Sequence, residues 1–215
     1  MDEESPLRSE WVESCQPPLA TGAFRPQETL ALHAVSALIA QANRIDRSPV
    51  TGRPVDLAIH SGNAVDNAQR NELRWFLDLM DGRQVNPDSG ERGYEGVQPE
   101  SPAGAYPRLL NDAQQQFQPE ALRFPWYAVA GNRDLLAQGN FIPGEEANQL
   151  ATGSEKVFAL GAAAREEVCA DPSGLLGPEA SQNVLNDPET IVRRVTPDPA
   201  RHTLTLQEWI EEHFE

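Results

Sequence analysis

Val55-Asp56-Leu57-Ala58-Ile59-His60-Ser61-Gly62-Asn63 and Phe124-Pro125-Trp126-Tyr127-Ala128-Val129-Ala130-Gly131-Asn132 are the two stretches whose reading decides the fold. Each is a short, mainly apolar run that ends in a Gly-Asn pair. Runs of this kind, Val55–His60 and Phe124–Ala130, read as strands buried in a sheet of parallel type. Glycine lets the chain bend tightly at the strand end, and a short oxygen-bearing side chain can then point into the crevice. Open α/β sheets bind ligands at the carboxyl ends of their strands. That makes His60 to Asn67 and Gly131 to Asp134 the candidate site. Gly-Asn is also a common turn, so spacing alone leaves a purely structural role open.

Upstream, Leu30, Ala34, Leu38 and Ala42 recur at four-residue steps with Val35 and Ile39 beside them, which predicts a helix over about 27–43. Pro49 and the Gly52-Arg53-Pro54 turn stop it. Between the strands a second helix is predicted over about 68–80. Its apolar face is Leu73, Phe76, Leu77 and Met80, flanked by Trp75 and Leu79, with Arg70 and Arg74 on the wetter side and Gly82 as its stop. Residues 83–120 break the pattern: turn chemistry dominates and apolar periodicity is almost lost, the mark of a long functional or mobile loop. Helices are expected again over 154–170 and from Thr205 to Phe214, the latter opened by a capping box of Thr205 and Glu208. In that last helix Glu208, Glu211, Glu212 and Glu215 read as a solvated face, while Trp209 and Phe214 need a partner surface. The order helix–strand–helix–long loop–strand–helices is an α/β arrangement. It divides into a loop segment at 1–27, a core at 28–142, and a mainly helical and loop part at 143–215.

The 215 residues include 33 Asp and Glu, 16 Arg and a single lysine, Lys156, for a net charge of −16. Leu, Ile, Val and Phe make up about 22% of the chain, just above the composition at which a strongly charged chain stays disordered. A core must therefore form against acidic self-repulsion, with the charge expected at the surface. The same charge repels a phosphate backbone and speaks against a nucleic-acid partner. No apolar run approaches the roughly 20 residues that span a bilayer, so no membrane partner is expected. The start, MDEESPLRSEW, lacks the basic and apolar text of a signal peptide, which makes a cytoplasmic location the default. Cys15 and Cys169 permit at most one disulfide, match no metal spacing, and read as two unrelated thiols.

The two strand-end segments resemble signature blocks of the calcineurin-like metallophosphoesterase superfamily. Ser61-Gly62-Asn63-Ala64-Val65-Asp66-Asn67 sits where that family has Gly-Asp-x-x-Asp, and Gly131-Asn132-Arg133-Asp134 sits where it has Gly-Asn-His-Asp/Glu. The flanks, Asn71 to Gly82 and Pro125 to Asn140, are similar to one bacterial subgroup, and the likeness runs through about 22–142 and more loosely to 193–199. The resemblance implies a four-layer α/β/β/α sandwich, of which this chain covers part. It implies a divalent metal centre of Mn, Fe or Zn, in which two cations roughly 3.5–4 Å apart clamp a phosphoester and activate a bridging water. By the same resemblance Asn63 and Asn132 hold metal-ligand positions, Arg133 holds the catalytic histidine position, and His60, Asp66, Asn67 and Asp134 support them.

Several positions depart from the family pattern. Asn63 is a neutral amide where a carboxylate bridges both cations, and Arg133 binds phosphate but holds its proton too firmly to be a general acid. The family's Asp-x-His, lone His and Gly-His-x-His blocks have no counterpart. His33 lies on a helix and His202 in a surface loop, and His60 sits inside a strand as a core or supporting residue. Metal binding is therefore expected to be weak or absent, with Asp66 and Asp134 pairing with Arg133 in place of the lost metal charge. Two readings stand. One is a truncated or divergent phosphoesterase with weak or no activity. The other is a non-catalytic relative that binds a phosphoester, another anionic small molecule or a protein through Arg133 and the loop at 83–120. An incomplete sandwich would expose a sheet edge or face, through which self-association is expected.

Overall fold

In the computed structural model, which describes residues 2–7, 26–45, 47–96, 98, 105–139, 142–170 and 178–215, the elements follow in the order α1 (Ala31–Arg44), β1 (Ala58–His60), α2 (Arg70–Asp81), α3 (Leu109–Ala113), β2 (Trp126–Ala128), α4 (Asn132–Leu135), α5 (Glu145–Thr152), β3 (Glu155–Ala159), α6 (Ala162–Ala170), α7 (Pro178–Asn186), β4 (Ile191–Arg194) and α8 (Leu206–Glu212). This is an α/β chain with small sheets. No helix among the described residues is long and apolar enough to cross a membrane.

The centre of the core is α2. Its apolar positions recur with the helical period, and Leu73, Trp75, Phe76, Leu77, Leu79 and Met80 are all buried. Gly82 ends the helix in the left-handed conformation at φ 68°, donating its N–H to the carbonyls of Asp78 and Leu79. Leu32 and Ile39 of α1 and Trp209 of α8 pack into the same cluster. The partner surface that Trp209 requires is thus in the chain itself. Glu212, expected on a solvated face, is buried and pairs with Arg70 and Arg74, which are correspondingly drier than a free helix face would leave them.

β1 and β2 pair in parallel, with Ala58 opposite Trp126, Ile59 opposite Tyr127 and His60 opposite Ala128. Both strands are shorter than the apolar runs that announce them. They are also not buried on both faces: Leu57, Ile59, Tyr127 and Val129 are exposed, because among the described residues nothing covers that side. A second, antiparallel pair joins β3 to β4, with Glu155 opposite Arg194 and an irregularity between Val157 and Ala159. The start of the helix expected over 154–170 is therefore strand, and the helix begins only at Ala162. Val157, Leu160, Ala164, Val168 and Val184 form a second small core there. Cys169 is disulfide-bonded, contrary to the expectation of two unrelated thiols, and Cys15, the sequence's other cysteine, lies outside the described residues.

The largest departure from expectation is the acidic start. Asp2, Glu3, Glu4 and Ser5 are buried, at 3%, 4%, 2% and 0% exposure, so the charge is not all at the surface. Two fully buried cations meet this segment. Arg201 donates from Nε to Asp2 Oδ2 at 3.2 Å, and Lys156, the lone lysine, donates to the carbonyl of Glu3. Ser89 Oγ donates to Asp2 Oδ1 at 2.8 Å, the amide of Glu95 donates to Glu4 Oε1 at 2.7 Å, and Tyr94 donates to Glu3 Oε2 at 2.7 Å. These bonds give the polar text around 89–95 a role, since Ser89, Tyr94 and Glu95 are tied to residues 2–4, while Val85, Leu110 and Phe117 anchor the loop by apolar packing. The loop is closed at its base by reciprocal backbone bonds between Val85 and Phe117, at 2.9 and 3.0 Å, and contains α3.

Burial and the neighbouring Asp2 charge push the Glu4 carboxyl up from 4.5 to about 8. Burial also pushes on Asp2, but the Arg201 guanidinium and hydrogen bonds from Ser89 and Asn71 outweigh it and hold that carboxyl below its ordinary value. The two act in different windows. Between pH 4.5 and about 8 the native chain keeps a proton on Glu4 that the unfolded chain has lost, so stability falls as pH rises through that window. Asp2 acts only in acid, where its contribution is lost as pH falls. Denaturant unfolding at successive pH values should show this decline, and Glu4→Gln should remove about 1.4 kcal/mol of it per pH unit, one proton's worth of slope. An unchanged slope in the variant would place the raised carboxyl elsewhere.

Candidate functional site

The parallel pairing of β1 and β2 carries their two Gly-Asn turns to the same end of the sheet. They meet in direct contact. Gly62 has φ 102°, and a Cβ there would lie 2.7 Å from both Cα and N of Gly131. A side chain on Gly131 would in turn run into Asn63. Asn63 itself is left-handed at φ 60°, a conformation that asparagine tolerates better than most residues.

Asp134 ties the turns together. Its buried carboxylate accepts from the amides of Asn63 and Gly131 through Oδ2, both at 2.7 Å, and from the amide of Val65 through Oδ1 at 3.1 Å. The side-chain oxygen of Asn63 accepts from the amide of Arg133 at 3.0 Å, and the Arg133 carbonyl accepts from the amide of Ala68 at 3.1 Å. The Arg133 guanidinium forms an ion pair with Asp66, and both side chains are largely withdrawn from solvent. Arg133 thus takes one of the two acids expected to pair with it, while Asp134 serves backbone amides instead.

The remaining predicted residues are placed as follows. Asn132 is exposed at the start of α4, and its amide nitrogen donates to the carbonyl of Gly139 at 3.1 Å. His60 is half-buried with its ring 4.6 Å from that of Phe76, and burial is the main cause of its lowered pKa. Asn67 is fully buried, and neither Oδ1 nor Nδ2 of its side chain has a hydrogen-bond partner among the described residues. Away from the turns, His33 stacks on Phe117 at 4.4 Å and contacts the carbonyl of Ala113 at 2.8 Å, a structural role. His202 contacts the carbonyl of Pro199 at 3.2 Å in an exposed loop.

Glu72 was not singled out by the sequence. It lies in the first turn of α2 and is fully buried. One of its oxygens accepts from the amides of Asp66 and Asn67, at 2.8 and 2.9 Å, and the other from the amide of Asp2 at 2.9 Å. Burial first, then the Asp66 charge, raise its carboxyl above the ordinary value. The available signal was an acid three residues past the helix cap, where a carboxylate meets free backbone amides. Arg201 was also missed, and no local pattern marks it.

These donors do not fit a dinuclear metal centre. Bridging needs a carboxylate free to face two cations. Here Asp134 is occupied by three amides, Asp66 by a guanidinium, and the Asn63 oxygen by a backbone amide. Among the described residues, no group of three or more His, Cys, Asp or Glu side chains is placed to hold a metal ion. Compared with known proteins, the chain matches no family model, no curated protein and no solved structure.

The arrangement makes a mechanical forecast. Asp134→Ala strands three amides, two of them in the tight turns, and should cost roughly 3 kcal/mol of unfolding free energy in denaturant titrations. Gly62→Ala forces a side chain into a left-handed turn against Gly131 and should cost about 2–4 kcal/mol. Losses below about 0.5 kcal/mol in both variants would mean the turns are not clasped as described.

Proposed function

We propose that the chain is a metallophosphoesterase-like protein with weak or no hydrolytic activity as it stands, its strand-end site serving as a structural clasp. The resemblance of the two turn blocks supports the family part of this reading. One observation supports the loss of turnover: where the resemblance puts cations and a bridging carboxylate, Arg133 is paired with Asp66 and Asp134 is bonded to backbone amides. A guanidinium largely withdrawn from solvent repels a divalent cation, and the carboxylate beside it, that of Asp66, is already paired with it. The four-layer α/β/β/α sandwich belongs to the same proposal, with β1, β2 and their flanking helices as part of one half.

Purified chain should carry far less than one equivalent of Mn, Fe or Zn by elemental analysis and should leave bis-(p-nitrophenyl) phosphate unhydrolysed above background. The double change Asn63→Asp and Arg133→His should not create activity, because it supplies two groups to a site that lacks the others. Stoichiometric metal together with metal-dependent turnover would overturn the proposal.

A binding module is the second reading, favoured by the exposed row Leu57, Ile59, Tyr127 and Val129. Parallel strands are ordinarily covered on both faces, and the occupant proposed for this face is a second copy of the chain. Sedimentation velocity should show concentration-dependent association that Ile59→Ser with Tyr127→Ser reduces. A monomer at all concentrations would remove this reading.

A further inference from the structure

Residues 2–7 lie in the interior, yet they are held as a bound peptide is held. Each of the three acids sits among donors from distant elements. The Asp2 carboxylate accepts from Arg201 Nε at 3.2 Å, Ser89 Oγ at 2.8 Å and Asn71 Nδ2 at 2.6 Å. Glu3 accepts from the hydroxyls of Tyr94, at 2.7 Å, and Thr29, and from Gln98 Nε2 at 3.1 Å. Glu4 accepts from the amide of Glu95 at 2.7 Å and from Gln114 Nε2 at 2.5 Å. The backbone is gripped as well: Lys156 donates to the carbonyl of Glu3, and Gln138 Nε2 to that of Leu7 at 2.9 Å.

Of these donors the nearest in sequence, Thr29, is 26 residues from its acceptor. Apolar anchoring is slight by comparison. Leu7 packs into a small cluster with Ala137, Ala147 and Ala151, while the main core around α2 is built without the segment. When the segment leaves, hydrogen bonds of this kind are exchanged for bonds to water, so each adds only modestly to its hold. A guanidinium with a set of oriented donors is also how acidic motifs are recognised between proteins. The groove thus has the chemistry of a peptide site, and the segment that fills it has the chemistry of a ligand.

We propose that residues 2–7 are a detachable strap over an acidic-peptide site, and that the partner this groove fits is a segment of another protein with three successive acidic residues. The partner displaces the strap and takes over its donors: Arg201, Ser89 and Asn71 for the first carboxylate, Tyr94, Thr29 and Gln98 for the second, Gln114 and the Glu95 amide for the third. Charge selects this occupant, because two fully buried cations, Arg201 and Lys156, meet the segment. The site does not depend on the metallophosphoesterase resemblance and stands or falls independently of the proposed function.

The probe is an acetylated peptide of residues 2–7, Asp-Glu-Glu-Ser-Pro-Leu, with a fluorophore at its carboxyl end. It is added to the full chain carrying Asp2→Ala, Glu3→Ala and Glu4→Ala, whose own strap has lost its three carboxylates. Anisotropy should rise saturably, with a dissociation constant on the order of 100 μM. The neutral peptide Asn-Gln-Gln-Ser-Pro-Leu should bind about tenfold more weakly or worse. So should the acidic peptide to the unsubstituted chain, whose own strap competes at roughly millimolar effective concentration. No saturable rise with the folded variant, or equal binding in either comparison, would overturn the proposal. A complex of variant with unsubstituted chain in place of peptide binding would assign the groove to a second copy and overturn it as well. Hydrogen exchange of the unsubstituted chain tests the detachment without any substitution, and decides the matter should the variant not fold. The amides of Ser89 and Glu95, which donate to Glu4, should open about tenfold more often than those of Phe76 and Leu77 inside α2. Equal opening would mean that the segment leaves only when the whole chain unfolds, and the strap would be refuted.

Discussion

The carboxylate of Asp134 is the interaction on which the rest of the site depends. It lies at the end of a parallel strand pair and accepts three amides from two turns, one of them 71 residues away in sequence. Both turns are conformationally expensive, with left-handed backbone at Gly62 and Asn63 and glycines in contact too close for any side chain. A charged acceptor among otherwise unpaired amides offsets that cost. Once the turns are held, Arg133 lies beside Asp66, and Glu72 caps the following amides from the first turn of α2. Turn, ion pair and helix start form one connected unit.

The same connectivity accounts for the buried acidic start. Glu72 accepts from Asp66 and Asn67 on one oxygen and from Asp2 on the other, so the clasp and the N-terminal segment share a carboxyl group. Asp2 continues the network to Arg201 and Ser89, and Glu4 to Glu95. A chain with only about 22% large aliphatic and Phe residues thus assembles part of its interior from ionic and hydrogen-bonded contacts. Such an interior is sensitive to protonation in a way an apolar core is not.

How much of this could be read from the sequence depended on whether the information was local. Helix α2 was legible because its period and its Gly82 stop are written in a dozen consecutive residues. The two strands were legible for the same reason, whereas their shared carboxyl end and the pairing of Arg133 with Asp66, 67 residues apart, followed from the general rule for open α/β sheets and from the resemblance of the two blocks. Strand β3 was not, because Glu155 to Ala159 runs into the alanine-rich text of α6 and its pairing with β4 lies more than thirty residues downstream. Three acids at positions 2–4 read as surface because their cations, Lys156 and Arg201, lie on distant elements. The lone lysine of an arginine-rich chain was the one hint. The role of Asp134 was hidden for a different reason: its partners are backbone amides, which have no signature in side-chain text.

The central claim is that the strand-end site is a clasp and not a cation site. Amide spectra of the uniformly ¹⁵N-labelled chain with one equivalent of Mn²⁺ test it most directly, because a bound paramagnetic ion erases the signals nearest to it. The account predicts that the amides of Asn63, Asn132 and Asp134 lose no more intensity than the rest of the chain. Selective disappearance of those three signals at stoichiometric Mn²⁺ would contradict it.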